Sequence, residues 1–587
     1  MSTTTTAMHV AKVKSRTRNK AGEERVYESV LLRRSYREGA KVKHTTLANL
    51  SALPGSAIEV LKASLAGKTL VVADDGLEVT RSLPHGHVAA AWAEAKALGL
   101  PAMLGPASPV RDLVMALIIA RVCKPASKLA TTRWWQDTTL AEDLGLASTG
   151  TDDVYAAMDW LTGKQETIEK KLAAKHLGKE ANPDRLALFD LSSSWVTGTH
   201  CELAARGYSR DGKMGLPQIE YGLLTDPDGR PVAVRVVPGN TADPTAFEQI
   251  AIQMKTVFGV NDMVMVGDRG MITSARIKQL RDLGGLGWVT ALRSTSIAGL
   301  LADGSVQQSL FDEANLAEIT HPDYPGERLI ICRNPALADK RAHKRRELLT
   351  ATEADLTVII AAVTAGRLKA AGAIGVRVGK ILGRHNMAKH FTLTINDGQF
   401  AFVRNQVNID TETALDGIYI IRSTVPETIM DAGTVVGTYK SLARVERDFR
   451  SIKSIDLDLR PIHHWTSDRV RAHVFICMLA AYLVWHLRKA WAPLTFTDEN
   501  RPDPVDPVAP AKRSSAAQLK ASTRTTAAGA PAYSFTSLLG HLATLTRNHI
   551  HIAGHDDSIG FDLVATPTPI QRRAFELIGQ SVPAKLK

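Results

Sequence analysis

Between Thr438 and Lys453 the chain reads TYKSLARVERDFRSIK, and few folds can accommodate that stretch. As a helix it sets Tyr439, Glu446 and Lys453 at intervals of seven. Side chains so spaced drift only about 20° per step and share one face. Leu442, Ala443 and Phe449 fall on the same stripe, which predicts a face packed on a core. A carboxylate and an ammonium on such a face are costly unless something holds them. Two readings stay open on this stretch alone. Either it is a heptad with polar residues at its rim, or Glu446 binds a metal while Lys453 and Tyr439 hold a phosphate.

Upstream, LALFDLSSSW is a short apolar run ending in Asp190, followed by a turn segment, RGYSRDGKMG. Two further apolar runs flank Asp226-Pro227-Asp228-Gly229, a strong hairpin signal. A helical stretch, DPTAFEQIAIQMKTVFG, leads to the strand MVMVGDRG, ending in Asp268. SARIKQLRDLG then reads as an amphipathic helix with Thr273 as N-cap, and GLGWVTAL as a strand. Strand, hairpin, helix, strand, helix, strand is the order of a ribonuclease-H-like α/β sheet. In such a sheet the strands of Asp190 and Asp268 lie side by side and parallel, with the Glu446 helix across that end. Each aspartate taken singly also reads as a turn residue at a strand end. Three carboxylates brought together repel one another and stay ionised only beside cations. All-oxygen acidic sites of this kind suit Mg²⁺ or Mn²⁺.

The spacing of Tyr439, Glu446 and Lys453 resembles the Y-x2-R-x3-E-x6-K signature of DDE transposases encoded by insertion sequences, with Leu442 where the signature has arginine. The resemblance covers roughly residues 186–490, and GDRGM from Gly267 and PGNTAD from Pro238 are similar to local motifs of that family. It implies a ribonuclease-H-like core interrupted by a mainly β insertion. It further implies two Mg²⁺ or Mn²⁺ ions on Asp190, Asp268 and Glu446, cleavage at the ends of an element, and joining of 3′-OH ends to target DNA. Tyr439 and Lys453 would contact the DNA, and Arg450, one turn beyond Glu446, would take over part of the task left by Leu442. The implied partner is double-stranded DNA, both element ends and target, bound by a homodimer because two ends must be paired. The family's insertion often carries a tryptophan that stabilises a flipped base; none lies between Ser294 and Val425. A ribonuclease-H-like nuclease or resolvase that cuts without joining, and a DNA-binding remnant without chemistry, are the alternatives.

Charge points the same way. The net charge of +12 and pI near 9.4 favour a polyanionic partner. Along His9–Leu50 apolar residues alternate with polar ones, predicting strands with Gly39 at a turn. Lys12, Lys14, Arg16, Arg18, Arg33, Arg34, Arg37, Lys41 and Lys43 then form one basic face. That face is either a solvated surface or a contact for the DNA backbone, with Lys12, Lys14, Arg33 and Arg34 as candidate contacts. The four cysteines form no CxxC pair, so neither a disulfide framework nor a zinc finger is indicated. His549, His551 and His555 lack the company a metal site needs. The apolar run Val474–Trp485 is too short to span a bilayer and reads as a buried helix. A bacterial cytoplasmic setting without a membrane partner is expected.

The expected organisation is a basic N-terminal region (1–85), a helical domain (86–185) and a first catalytic part (186–293). A mainly β insertion with one helical hairpin (294–431) and a second catalytic part (432–493) come next. A flexible linker (494–532), rich in Pro, Ala, Ser and Thr, and a C-terminal helical tail (533–587) complete it. Trp134 and Trp135 read as core.

Overall fold

The computed structural model describes the chain except residues 1–7, 19–23, 39–40, 69–75, 179–185, 260–262, 273–276, 279–280, 283, 312–313, 503 and 553–559. The expected turn at Gly39, the N-cap Thr273, part of the helix it was to open, and His555 lie outside the described residues. Two compact units result: Met1–Ser82 with Arg547–Ala565, and Leu83–Thr546 with Thr566–Lys587.

In the first unit, β1 (Met8–Arg18), β2 (Glu24–Glu38) and β3 (Lys41–Asn49) form an antiparallel sheet in that order. Its register corrects the expectation of a single basic face. Residues paired across a sheet point to the same side and successive residues to opposite sides. Met8 pairs with Arg34 and His9 with Arg33, so Arg34 lies on the face of Lys12, Lys14, Arg16 and Arg18, and Arg33 on the other. Arg37 shares the face of Arg33, whereas Lys43, opposite Tyr36, lies with Lys12. The larger basic face is also partly balanced. Glu28 lies 3.5 Å from Lys12 and 4.0 Å from Lys14, Glu24 pairs with Arg16, and Glu38 with Lys43. β4 (Leu77–Pro84) belongs to a second small sheet completed by strands from the C-terminal region.

The second unit is organised on an eight-stranded sheet. Its strands are β5 (Leu186–Trp195), β6 (Gln218–Thr225), β7 (Pro231–Pro238), β8 (Met263–Val266), β9 (Leu286–Ala291), β10 (Leu316–Ile319), β11 (Arg328–Arg333) and β14 (Ile418–Ser423). They lie in the order β10-β11-β14-β9-β8-β5-β6-β7. β5, β6 and β7 are consecutive antiparallel strands, and β8 and β9 add in parallel on the other side of β5. Every residue of β6 is buried, consistent with a central strand covered on both faces. Asp226–Gly229 makes the β6–β7 turn as expected, with Gly229 at φ +83°.

Helix Ser467–Ala490 alone among the described helices is long and apolar enough to cross a membrane, and its apolar stretch is mostly buried within the unit. It packs on β7 and on helices Pro109–Cys123 and Thr151–Thr162. The helical block before β5 therefore shares the core of the sheet rather than standing as a separate domain. Trp135 is fully buried in it.

Three further expectations are corrected. The insertion is built around helices of 30 residues (Pro335–Thr364) and 15 residues (Ala371–His385), which pack with the hairpin of β12 (Phe391–Asn396) and β13 (Gln399–Arg404) around Leu356, Ile374 and Val378. Its strands β10, β11 and β14 extend the main sheet. Secondly, the segment read as a flexible linker is held in place. Val508 is buried, Lys440 donates to the carbonyls of Pro507 and Ala509, and Ser515–Thr523 is a helix. Thirdly, the tail is not simply helical, because β15 (Thr546–Ile552) and β16 (Gly560–Val564) pair with each other and complete the sheet of β4. Composition misled where small and polar residues pack by backbone hydrogen bonds.

Gly239 closes the base of the loop between β5 and β6. A Cβ there would lie 1.9 Å from the Gln218 carbonyl oxygen and 2.6 Å from that of Ala205. Gly239→Ala is expected to cost about 1–3 kcal/mol, the usual range for overpacking, read as a lower urea midpoint. Gly437→Ala, in helix Ala432–Lys440 with nothing within 4 Å of the new carbon, is expected to be neutral or to stabilise by up to about 1 kcal/mol.

Candidate active site

The site starts from the register of two parallel strands. Leu186, Ala187 and Leu188 of β5 pair with Val264, Met265 and Val266 of β8. Asp190 and Asp268 each come two residues after the last pair, so both lie beyond it at the same end. Asp190 does not end its strand as the sequence suggested. β5 runs on to Trp195 because its other edge stays paired with β6. What ends at Leu188 is the pairing with β8, and that exposes one edge of β5 beside the Asp190 carboxylate.

Asp190 Oδ1 accepts a hydrogen bond from the Leu191 N–H at 2.8 Å. Burial pushes the carboxyl up to about 7; the Leu191 N–H opposes this, and the charges of Asp268 and Glu446 push it further up. Asp190 therefore feels both of the other acidic residues. The link among the three expected residues is the charge that Asp268 and Glu446 exert on Asp190. Among the described residues, no three metal-ligating side chains are gathered into a closed cluster.

Glu446 stands on helix Leu442–Arg450, which buries Leu442, Val445 and Phe449 and sets Phe449 edge-on to Tyr221 at 5.6 Å. Glu446, at the flank of that face, is exposed, and so is Ala443, which the sequence had placed on the packed stripe. The single helix expected from Tyr439 to Lys453 is three segments: Ala432–Lys440, Leu442–Arg450, and a π turn over Ser451–Ile455. A π turn holds one more residue than an α turn and shifts everything after it around the axis. Lys453 is consequently buried rather than displayed beside Glu446.

The phosphate-contact residues have partners of their own. Tyr439 donates to Asp268 Oδ1 at 3.3 Å, and its phenol is pushed up first by burial and then by that carboxylate. Lys453 Nζ lies 2.8 Å from Asp211 Oδ1; burial pulls its ammonium down and Asp211 opposes. Arg450 is exposed, and no described ion pair joins it to Glu446. Arg460, which carried no signal in the sequence, donates to the same Asp211 oxygen. Asp211 sat in view in RGYSRDGKMG, but only tertiary packing tells a turn carboxylate from a partner of two cations.

Beside Asp268 a cleft of about 330 Å³ is lined by Arg269, Tyr439, Tyr419 and Arg341. Arg341 comes from the long insertion helix, so the insertion supplies one wall of the cleft.

Residues 183–483 match the family model of the transposase DDE domain. The chain belongs to the DDE transposases. Residues 13–73 match the N-terminal domain of the IS1634 family of transposases, the region of β1, β2, β3 and the helix Gly55–Leu65. No curated protein matches the chain. The family makes this an enzyme, implies a ribonuclease-H-like core, and implies dependence on a divalent metal. The carboxylates of Asp190, Asp268 and Glu446 are the kind of oxygen donor such an ion would take, with Asp190 raised by burial and by the charges of the other two.

The raised Asp190 carboxyl makes stability depend on pH. Its folded-state value, about 7, lies above the ordinary 3.8, so it binds more protons folded than unfolded between those limits. Stability of metal-free protein should therefore fall as pH rises from about 4 to about 7. Asp190→Asn is expected to remove that decline and to raise the metal-free melting temperature at pH 8. The check is a set of thermal melts across pH with chelator present.

Proposed function

We propose that this transposase cuts DNA at the ends of its own element and joins the freed 3′-OH ends to target DNA, using Asp190, Asp268 and Glu446. The observation carrying this reading is the pair of aspartates on adjacent parallel strands, with Asp190 coupled to both Asp268 and Glu446. Two Mg²⁺ or Mn²⁺ ions, when bound there, supply activation of the attacking hydroxyl and stabilisation of the leaving oxygen. Asp190 is held by its β5 backbone, so its position is set by the sheet. Asp268 is oriented by the Tyr439 hydroxyl. Glu446 comes from a helix whose other face is anchored by Phe449, so it projects from a fixed support.

Double-stranded DNA is the substrate at both steps, and pairing two ends calls for a homodimer on DNA. Lys453 with its neighbouring cations would hold the backbone near the scissile bond. In the N-terminal unit the face of Lys12, Lys14 and Arg34 would add sequence-independent phosphate contacts.

Asp190→Ala, Asp268→Ala and Glu446→Ala are each expected to abolish Mg²⁺-dependent cleavage of element-end DNA while leaving its binding largely intact. Near wild-type cleavage by any one of them removes that residue from the site. Strand-transfer products separate a transposase from a nuclease that only cuts.

A second expectation concerns the basic face. Lys12→Ala, Lys14→Ala and Arg34→Ala together should flatten the slope of log K against log salt by about 2, nearly one per lost phosphate contact after allowing for the Glu28 pairs. Arg33→Ala with Arg37→Ala, on the other face, should change it less. Equal effects from both sets would mean that DNA does not choose between the faces.

A further inference from the structure

The loop from Arg206 to Leu216 carries none of the three carboxylates, yet it reaches into the site. Its base is clamped. Ala205 and Gln218 exchange two backbone hydrogen bonds, and Gly207 lies so close to Gly239 that a Cβ would stand 2.0 Å from its carbonyl oxygen. Its middle touches the sheet through the Arg210 N–H, which donates to Ser193 Oγ at 3.0 Å. Its crown is loosely packed: Tyr208 is 77% and Met214 84% exposed, and Gly212 and Gly215 sit at φ +68° and +82°. A segment with so few buried apolar contacts opens at little cost.

From this loop the Asp211 side chain turns inward and is almost wholly buried. Its Oδ1 takes both cations, Lys453 at 2.8 Å and Arg460. Its Oδ2, equally buried, has no hydrogen-bond partner among the described residues. Arg460 arrives on the segment after the π turn, where the Ile462 N–H donates to the Trp195 carbonyl at 3.1 Å, and its guanidinium lies over the Trp195 ring at 5.2 Å. Lys453 and Arg460 are thus held by the core on their own elements, whereas the anion between them belongs to a loop.

We infer that Lys453 and Arg460 form a binding site for a DNA backbone phosphate, and that Asp211 occupies it as a stand-in until DNA displaces the loop. The inference rests on the proposed transposase activity and adds Arg460 and Asp211 to it. A buried Lys453 beside a half-buried Arg460 would be costly without an anion, so DNA-free protein needs a substitute. One carboxylate oxygen serving both cations while the other goes unserved is a poor match for them. The two non-bridging oxygens of a phosphodiester can serve one cation each. Phosphate wins on charge geometry, and the loose crown lets Asp211 leave.

The experiment uses full-length protein and a labelled duplex of arbitrary sequence, titrated at several salt concentrations. Asp211→Asn, nearly isosteric, is expected to bind roughly 3- to 30-fold more tightly, because the closed state no longer taxes affinity. Its log K against log salt should be steeper by about one. In a Lys453→Ala, Arg460→Ala background the same substitution should bring no gain. Weaker or unchanged binding by Asp211→Asn would make Asp211 a buttress of the fold and overturn the inference. A gain that survives loss of both cations would reduce it to net charge and overturn it equally. Thermal melts of each variant separate misfolding from lost binding, and if Asp211→Asn does not fold, Gly212→Pro, which cannot keep the φ of +68° that the closed crown needs, should bind more tightly than wild type, and equal or weaker binding overturns the inference. Absence of DNA binding by the wild type would instead count against the transposase activity itself.

Discussion

Leu188 pairs with Val266 in parallel register, and the proposed chemistry depends on the residues just beyond that pair. Because the two strands run the same way, their next residues emerge together at one end of the sheet, and the chain has an aspartate at the second position on each. An antiparallel pair would have sent them to opposite ends. The same register ends the pairing of β5 with β8 just before Asp190 while β6 holds the other edge. A rigid strand thus presents a carboxylate beside open space. The Glu446 helix then needs only to pack its apolar face, through Val445 and Phe449, to bring a third carboxylate within reach.

Repulsion is the condition under which this site is built. Burial, with the charges of Asp268 and Glu446, raises the Asp190 carboxyl to about 7, so ionising it in the metal-free fold carries a free-energy cost that a divalent cation held there would relieve. Sheet stability supports that cost. The central strands are buried on both faces, and helix Ser467–Ala490 ties the helical block to the edge strand β7. Lys453 and Arg460 are engaged by Asp211, and Arg210, whose charge reaches Asp190, by Glu220 at 3.3 Å. On the proposed reading, Asp211 covers this positive charge until a DNA phosphate arrives.

The insertion and the N-terminal unit show where local pattern was a weak guide. β10, β11 and β14 are separated from β9 in sequence by helices, yet hydrogen bonds make them part of the same sheet. A strand's apolar run says that it is buried, not which sheet buries it. In the N-terminal unit, counting basic residues gave nine on one face, and the pairing of Met8 with Arg34 and His9 with Arg33 divides them. One residue of register decides the face of every side chain on a strand.

Features carried by local order were legible in the chain itself. The strands of Asp190 and Asp268, the turn at Asp226–Gly229 and an apolar helix face around Phe449 could be read there, and Glu446 was marked by its spacing from Tyr439 and Lys453. Periodicity and turn chemistry act over a few residues, which is why these survive folding unchanged. Packing alone turned Lys453 inward, because a π turn shifts phase without any local signature in composition. It likewise gave Tyr439 to Asp268, and joined Arg460 rather than Arg450 to Lys453. Such pairings depend on where distant backbone segments come to rest. Asp211 and Lys453 are 242 residues apart, and the burial that joins them is a property of the packed sheet, not of either segment alone.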